Sequence, residues 1–464
     1  MSMNMTKKIA FAAAMIALCT LPLAAQEKQT PPAGGPPKPF NVPAHESYVL
    51  ANGMKVTLVP YGNLPKVTLS LVVRSGNLND PSNLPGLADM AGKLMKEGTT
   101  TKSSKQIAEE AAGMGGAVNI TVGPDESDVT TDVLSEFGPK AAALLADVAQ
   151  HPLFPDSELP RLKNDAQRQL SISKSVPQSM ALEKFRKILY GDHPYGTVFP
   201  TQESIEKTTV ADIKKFYEVN FGATRAHLYV AGRFDTAEVK KAIATNFGGW
   251  SKGPAAVTNV PKVKPQHVLE LTDRPGAAQS TLLVGMPVPD ATSPDAIPLG
   301  VTNALLGGSF GSRITSNIRE QKGYTYSPSS QISRRYHDAY WAETADVTTQ
   351  YTGASLKEIF AEVDKLAKEP PADGELKGIQ SYLSGLFVIQ NSSRGALINQ
   401  LRFVDFQGLG EDYLKTYVQK VNAVMPTDVS KMTAEYIKAD QMTIVVVGDK
   451  AKVAEQLAPY GLKP

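Results

Sequence analysis

Hydrophobic and polar positions divide the chain into short alternating runs and longer stretches with helical spacing. Tyr48 to Leu50, Asn52-Gly53 and Met54 to Val59 read as strand, turn and strand. Asn-Gly is the pair that supplies the positive φ angles of a two-residue hairpin turn. Val67 to Arg74 continues as a strand. Leu84, Leu87, Ala88, Ala91, Leu94 and Met95 then recur at helical spacing, which predicts one apolar helix face ending near Glu97. Gly116 to Val122 and Ser127 to Leu134 alternate again, helical stretches run on to Phe216, and His227 to Val230 returns as a strand.

The pattern repeats. Asp212-Ile213 resembles Asp428-Val429 and Val230-Ala231-Gly232 resembles Val446-Val447-Gly448, each at a separation of 216 positions, and Phe247-Gly248 is echoed by Tyr460-Gly461. Chance similarity of short motifs is the competing explanation; two copies of one unit, joined where Gly253, Pro254, Pro261 and Pro265 cluster, are the simpler one. The expected division is a first domain over 45–250, a linker over 251–266 and a second domain over 267–464. Strands and helices that do not alternate strictly favour an α+β class with tandem domains over a doubly wound sheet.

Ahead of the repeat, Lys7 and Lys8 lead an apolar run from Ile9 to Leu18, and Leu23-Ala24-Ala25 ends on a small residue, the pattern of a secretory signal over 1–25. Residues 26–44, dense in Pro and Gly, read as an extended tether. Removal of the signal takes away two lysines and no acid, so 48 Lys and Arg against 46 Asp and Glu become an even balance. A neutral chain gives no electrostatic case for nucleic acid as a partner. The single cysteine, Cys19, lies within the signal; Leu18 before it is a poor context for a lipid anchor. The mature chain then has no thiol, which excludes cysteine nucleophiles, Cys-bound zinc and disulfides. No later segment reaches the length of a membrane span, and the expected location is periplasmic or otherwise exported.

The most specific segment is Pro85-Gly86-Leu87-Ala88-Asp89-Met90-Ala91-Gly92-Lys93-Leu94, closed by Glu97-Gly98-Thr99. With it go His193-Pro194-Tyr195-Gly196, Tyr229-Val230-Ala231-Gly232, Leu306-Gly307-Gly308 and the stretch from Ser312 to Tyr326. In this order and spacing the chain resembles the insulinase/pitrilysin metallopeptidases, a family that includes the mitochondrial processing peptidase. The resemblance covers nearly the whole mature chain. It implies two homologous domains, each a mainly antiparallel sheet covered by helices, forming one half of a clamshell chamber.

Active members of that family carry H-x-x-E-H on the first-domain helix, two histidines gripping zinc and a glutamate activating its water. The matching positions here are Asp89, Gly92 and Lys93, and the family's third ligand falls near Arg168 or Gln169. A glycine has no side chain and a lysine ammonium is a poor ligand, so the zinc site reads as lost and no cofactor is expected in this chain. The plain alternative for Asp89 and Lys93 is a solvent-facing i, i+4 ion pair. The histidines at 45, 151, 193, 227, 267 and 337 lie at least 34 positions apart, so no two form a short motif on one helix.

In the second domain, Ile318-Arg319-Glu320-Gln321-Lys322-Gly323-Tyr324-Thr325-Tyr326 resembles the family's substrate clamp. The resemblance implies that Arg319 binds a substrate carbonyl and that Tyr326 helps stabilise the oxyanion; without it, both read as an exposed helix charge and a packed strand tyrosine. Leu306 to Gly311 lacks the context of a phosphate loop and reads as a helix–helix turn through which substrate backbone passes closely. Arg334, Arg335 and Tyr336 are too few for a nucleic-acid patch.

A blank zinc motif beside a retained Arg/Tyr pair is the endowment of the clamp-bearing partner in the family's two-chain members. The expected function is an exported subunit that binds peptide substrate beside a zinc-motif-bearing paralogue, the zinc belonging to the partner in a heterodimer. A non-proteolytic peptide-binding or assembly scaffold, an autonomous peptidase with a rebuilt metal site, and a lipoprotein anchored through Cys19 are the alternatives.

Overall fold

The computed structural model describes residues 41–410 and 412–461. The signal over 1–25, Cys19 and all of the tether before residue 41 lie outside the described residues. Eleven strands among the described residues form two sheets. The first, in the order β1-β2-β6-β3-β5-β4, comprises β1 (Glu46–Val49), β2 (Lys55–Pro60), β3 (Lys66–Val73), β4 (Asn119–Val122), β5 (Ser127–Leu134) and β6 (Ala226–Gly232). The second, in the order β7-β11-β8-β10-β9, comprises β7 (Val268–Asp273), β8 (Gln279–Val288), β9 (Ser329–Arg335), β10 (Asp338–Thr348) and β11 (Thr443–Gly448).

The sequence repeat is a repeat of topology. In each sheet one parallel pair, β2 with β6 or β7 with β11, precedes an antiparallel run. Gly232 and Gly448, 216 positions apart, end the equivalent strands β6 and β11. One face of each sheet is covered by helices of its own half: Leu69, Leu71 and Leu228 pack with Leu94, Leu145 and Ile243, while Leu282, Trp341 and Val446 pack with Leu306, Ile359 and Val429.

The other faces are covered by exchange. The helix Pro177–Tyr190, from the first half, lies on β8 and β11 of the second sheet, where Phe185, Tyr190 and the nearby Tyr195 meet Leu283, Tyr340, Val445 and Val447. The helix Arg394–Gln407, from the second half, lies on β3 and β6 of the first sheet, where Leu397 and Ile398 meet Val59, Val72 and Tyr229. That second seat is rich in charge. Arg402 donates to Glu126 at 2.7 Å and Asp128 at 3.0 Å, Arg394 to Asp132 at 3.0 Å, and Asp405 accepts from Lys55 at 3.0 Å.

The first turn departs from the two-residue hairpin. β1 pairs with β2 through Val49 opposite Lys55, and Gly53 N–H closes on Leu50 O at 2.8 Å, leaving a wider loop in which only Gly53 has a positive φ of 94°. Asn52 is used otherwise: its buried side-chain amide donates to the carbonyls of Phe247 at 2.8 Å and Trp250 at 3.0 Å. A long-range anchor outweighs the local turn preference.

Candidate functional site

The diagnostic first-half segment forms the helix Leu87–Met95, whose buried residues are Leu87, Ala88, Met90, Ala91, Gly92, Leu94 and Met95. Asp89 and Lys93, one turn apart, share its remaining stripe. Gly86, at φ 88°, has no side chain with which to cap this helix. Asp80 serves instead, accepting from Gly86 N–H at 2.8 Å and Ala88 N–H at 2.7 Å. Burial raises the Asp80 pKa to about 7 even against these donors.

Asp89 and Lys93 do not form the solvent-facing ion pair expected from their spacing. Asp89 is half-buried and accepts from Asn77 Nδ2 at 2.7 Å; burial raises its pKa, while Lys93 is exposed. A nearby amide donor satisfies the carboxylate at lower entropic cost than an extended lysine. Gly92 is closed by packing: a Cβ built on it would stand 2.7 Å from Val122 Cγ2 and 3.5 Å from Ile120 Cγ2. The apolar face of β4 thus fills the direction in which a glutamate would project.

Across from this helix, Ala166, Gln169, Leu170 and Ser173 form one face of the helix Leu159–Ser175 and line a cavity of about 280 Å³ with Asp89, Lys93 and Phe199. Of the two candidate third-ligand positions, Gln169 faces the motif helix. Arg168 is exposed and pairs with Asp165 at 2.9 Å. Zinc needs about three nitrogen, sulfur or carboxylate ligands. The positions offered are one hydrogen-bonded carboxylate, a blocked glycine, an ammonium and a carboxamide, and these do not fit the metal. Among the described residues, no group of three His, Cys, Asp or Glu is placed to hold an ion.

In the second half, the segment Thr315–Gln321 is wound with π-helical geometry, a form often met at functional sites. Gly323, at φ 66°, turns the chain out of it. The next residues are tied inward: Tyr324 stacks on Tyr351 with centroids 4.4 Å apart, and Thr325 Oγ1 donates to Asp346 O at 2.7 Å. Tyr326 therefore projects outward, 84% exposed and before the start of β9. Arg319 lies over the ring of Phe310, with Cζ 4.4 Å from the centroid, and its Nη1 is 3.4 Å from Glu320 Oε1. Phe310 is itself 74% exposed. The sequence marked its glycine-rich loop but not its ring; the signal was an aromatic residue set in a loop otherwise made of small ones.

Only Ser309 to Gly311 of the expected turn is a turn; Leu306, Gly307 and Gly308 end the π-wound stretch Ala304–Gly308, and the two glycines make room for the protein itself. A Cβ on Gly307 would stand 2.5 Å from Glu343 Oε2 and 2.6 Å from Ser330 Oγ, and one on Gly308 would stand 2.4 Å from Asn303 Nδ2. No such neighbour surrounds Gly311. Close passage of a substrate backbone is thereby replaced at Gly307 by close passage of β9 and β10, and at Gly308 by Asn303 of the preceding helix.

Residues 56–199 match the family described as Insulinase (Peptidase family M16), and residues 207–383 match Peptidase M16 inactive domain. A Bacillus subtilis protein named uncharacterized zinc protease YmxG is 25% identical over 76% of this chain and 86% of its own length. A Helicobacter pylori protein named non-peptidase homolog YmxG is 22% identical over 86% of this chain and 94% of its own. Among solved structures, a peptidase M16 inactive domain from Pseudomonas fluorescens has a TM-score of 0.81 and 24% identity, covering 87% of this chain and 98% of that one. Spanning more than half of the sequence between them, the two family matches establish that the chain belongs to the insulinase family, peptidase family M16, as a member without the residues of the zinc motif.

Proposed function

We propose that the chain is the clamp-bearing, non-zinc subunit of an exported two-chain peptidase. It binds an extended peptide through Arg319 and Tyr326 while a zinc-motif paralogue supplies the metal. The observation that carries this reading is the contrast between the two halves. Packing of Val122 closes the Gly92 position, whereas the Tyr326 ring is exposed and Arg319 is held on Phe310 near the surface. A guanidinium offers fixed donors to a peptide carbonyl and a phenol can donate to a developing negative charge. Among the described residues no helix is long and apolar enough to cross a membrane.

The test is hydrolysis of an unstructured peptide by the chain co-purified with a zinc-motif relative from the same genome. Arg319→Ala and Tyr326→Phe are each expected to lower kcat, about 100-fold or more where an oxyanion donor is removed. Equal turnover by wild type and both variants rejects the clamp. The second reading, a peptide-binding homologue that supports no proteolysis, is favoured by the name of the Helicobacter pylori relative, non-peptidase homolog; peptide binding without any stimulation of a zinc partner would select it.

A further inference from the structure

The helix Pro177–Tyr190 carries an arginine that its surroundings leave without an anion. Arg186 is only 8% exposed, yet its Nε has no hydrogen-bond partner. Arg186 lines a cavity of about 400 Å³ whose wall also includes Asn77, Asp80, Asp89, Pro124 and Phe199, a volume within the range of small-molecule sites.

Each acid around this cavity is committed elsewhere. Asp80 accepts from two backbone N–H groups, Asp89 from Asn77, and Asp192 from Lys187 at 2.8 Å. Deeper in, Asp125 accepts from Tyr195 and Asp338 from Tyr190 at 2.5 Å, and the cation placed beside both is Arg335, not Arg186. Burial and the like charge of Arg335 press the Arg186 pKa down to about 10, against the opposing pull of Tyr340, Tyr190 and Tyr195 and of no carboxylate. A buried charge is ordinarily paired.

We propose that Arg186 is the anchor of a binding site for a carboxylate, with the ligand occupying the cavity between the degenerate zinc-motif helix and the Pro177–Tyr190 helix. The planar fork of a guanidinium matches a carboxylate bidentately. A phosphate is disfavoured, because Asp80 and Asp89 share the cavity and Lys187 is paired to Asp192. Pro81, Pro124 and Phe199 give an apolar wall for the ligand's body. The carboxylate can come from a peptide C-terminus or from a small free acid. The site does not depend on the clamp, and its test reads no hydrolysis.

The experiment is calorimetric titration of the full chain with tetra-alanine bearing a free C-terminus, with the same peptide as its C-terminal amide, and with propionate. The free-acid peptide is expected to bind, with the amide at least tenfold weaker. Arg186→Met is expected to weaken the free-acid peptide at least tenfold, and Arg186→Lys, which keeps the charge but loses the fork, at least threefold. Propionate binding as well as the acid peptide assigns the site to small acids, and much weaker propionate binding assigns it to peptide ends; both support the carboxylate class. The ligand-free Arg186→Met chain is expected to melt no lower than wild type, since the lost charge has no partner to strand. Equal binding of acid and amide, no binding of any probe, or an Arg186 variant that binds as wild type overturns the proposal; if the Met variant does not fold, the Lys variant gives that reading.

Discussion

At Gly92 the departure from the family motif is one of volume as well as chemistry. Replacing a helical glycine ordinarily adds about 0.5–1 kcal/mol of stability, but here the new Cβ meets Val122 Cγ2 at 2.7 Å, so the sign reverses. Gly92→Glu should destabilise by about 1–3 kcal/mol through overpacking, read as a lower midpoint in urea. The triple change Asp89→His, Gly92→Glu, Lys93→His should still not acquire stoichiometric zinc; a stable triple variant holding one zinc by metal analysis would contradict this. The second half repeats the arrangement, with Gly307 packed on Ser330 and Glu343 as Gly92 is on Ile120 and Val122. There β10 sets Glu343 opposite Ser330, as β5 sets Val129 opposite Ile120. A carboxyl thus stands where the first half has a core valine. Glu343 is fully buried and neither oxygen completes a hydrogen bond. Burial raises its pKa well above the ordinary value, the nearby Ser329 backbone N–H pulling the other way without reaching hydrogen-bond geometry. The native state therefore keeps a proton that the unfolded chain has lost. This contribution is complete below the unfolded pKa of about 4.3 and is lost as pH rises from there toward the folded value. Glu343→Gln should flatten that decline in urea midpoints measured from pH 5 to 8; parallel slopes for the two proteins would refute it.

At the scale of elements, the two exchanged helices are held by different physics. Pro177–Tyr190 is seated mainly on aliphatic and aromatic residues, whereas Arg394–Gln407 depends heavily on ion pairs to the first sheet. Burial raises the pKa of both Glu126 and Asp128 even with Arg402 beside them. Arg402→Ala would leave two largely buried carboxylates without their cation and should cost about 3–5 kcal/mol. The loss should be smaller at pH 5 than at pH 8, because the stranded carboxylates protonate more readily; thermal melts at the two pH values check this, and a pH-independent loss would refute it. Much of the element pattern was legible in the sequence. Ser127 to Leu134 alternates because one face of β5 is buried, and the observed strand has those bounds. β4 begins only at Asn119, since Gly116 lies against the Asp132 carbonyl, where a Cβ would stand 2.3 Å away. The exchange of helices was not legible, because an apolar helix face records that it is buried and not which sheet buries it. The same holds for the site. The absent zinc ligands could be read from three letters, while the filling of their space by Val122, the ring of Phe310 beneath Arg319 and the unpaired charge of Arg186 arise only when distant segments meet.

At the scale of the whole molecule, two copies of one α+β unit have diverged in what they present. The first has closed its motif helix with apolar packing, and the second carries Tyr326 on an exposed turn. A chain so equipped is proposed to act through a complex, and its own metal content and activity are the sharpest discriminators. The measurement that tests this most directly is zinc content together with peptide hydrolysis, made on the isolated chain and again after addition of a zinc-motif relative. The isolated chain is expected to hold no stoichiometric zinc and to show no turnover, and the complex to show turnover that falls with Arg319→Ala. Tightly bound zinc and hydrolysis by the isolated chain would contradict this.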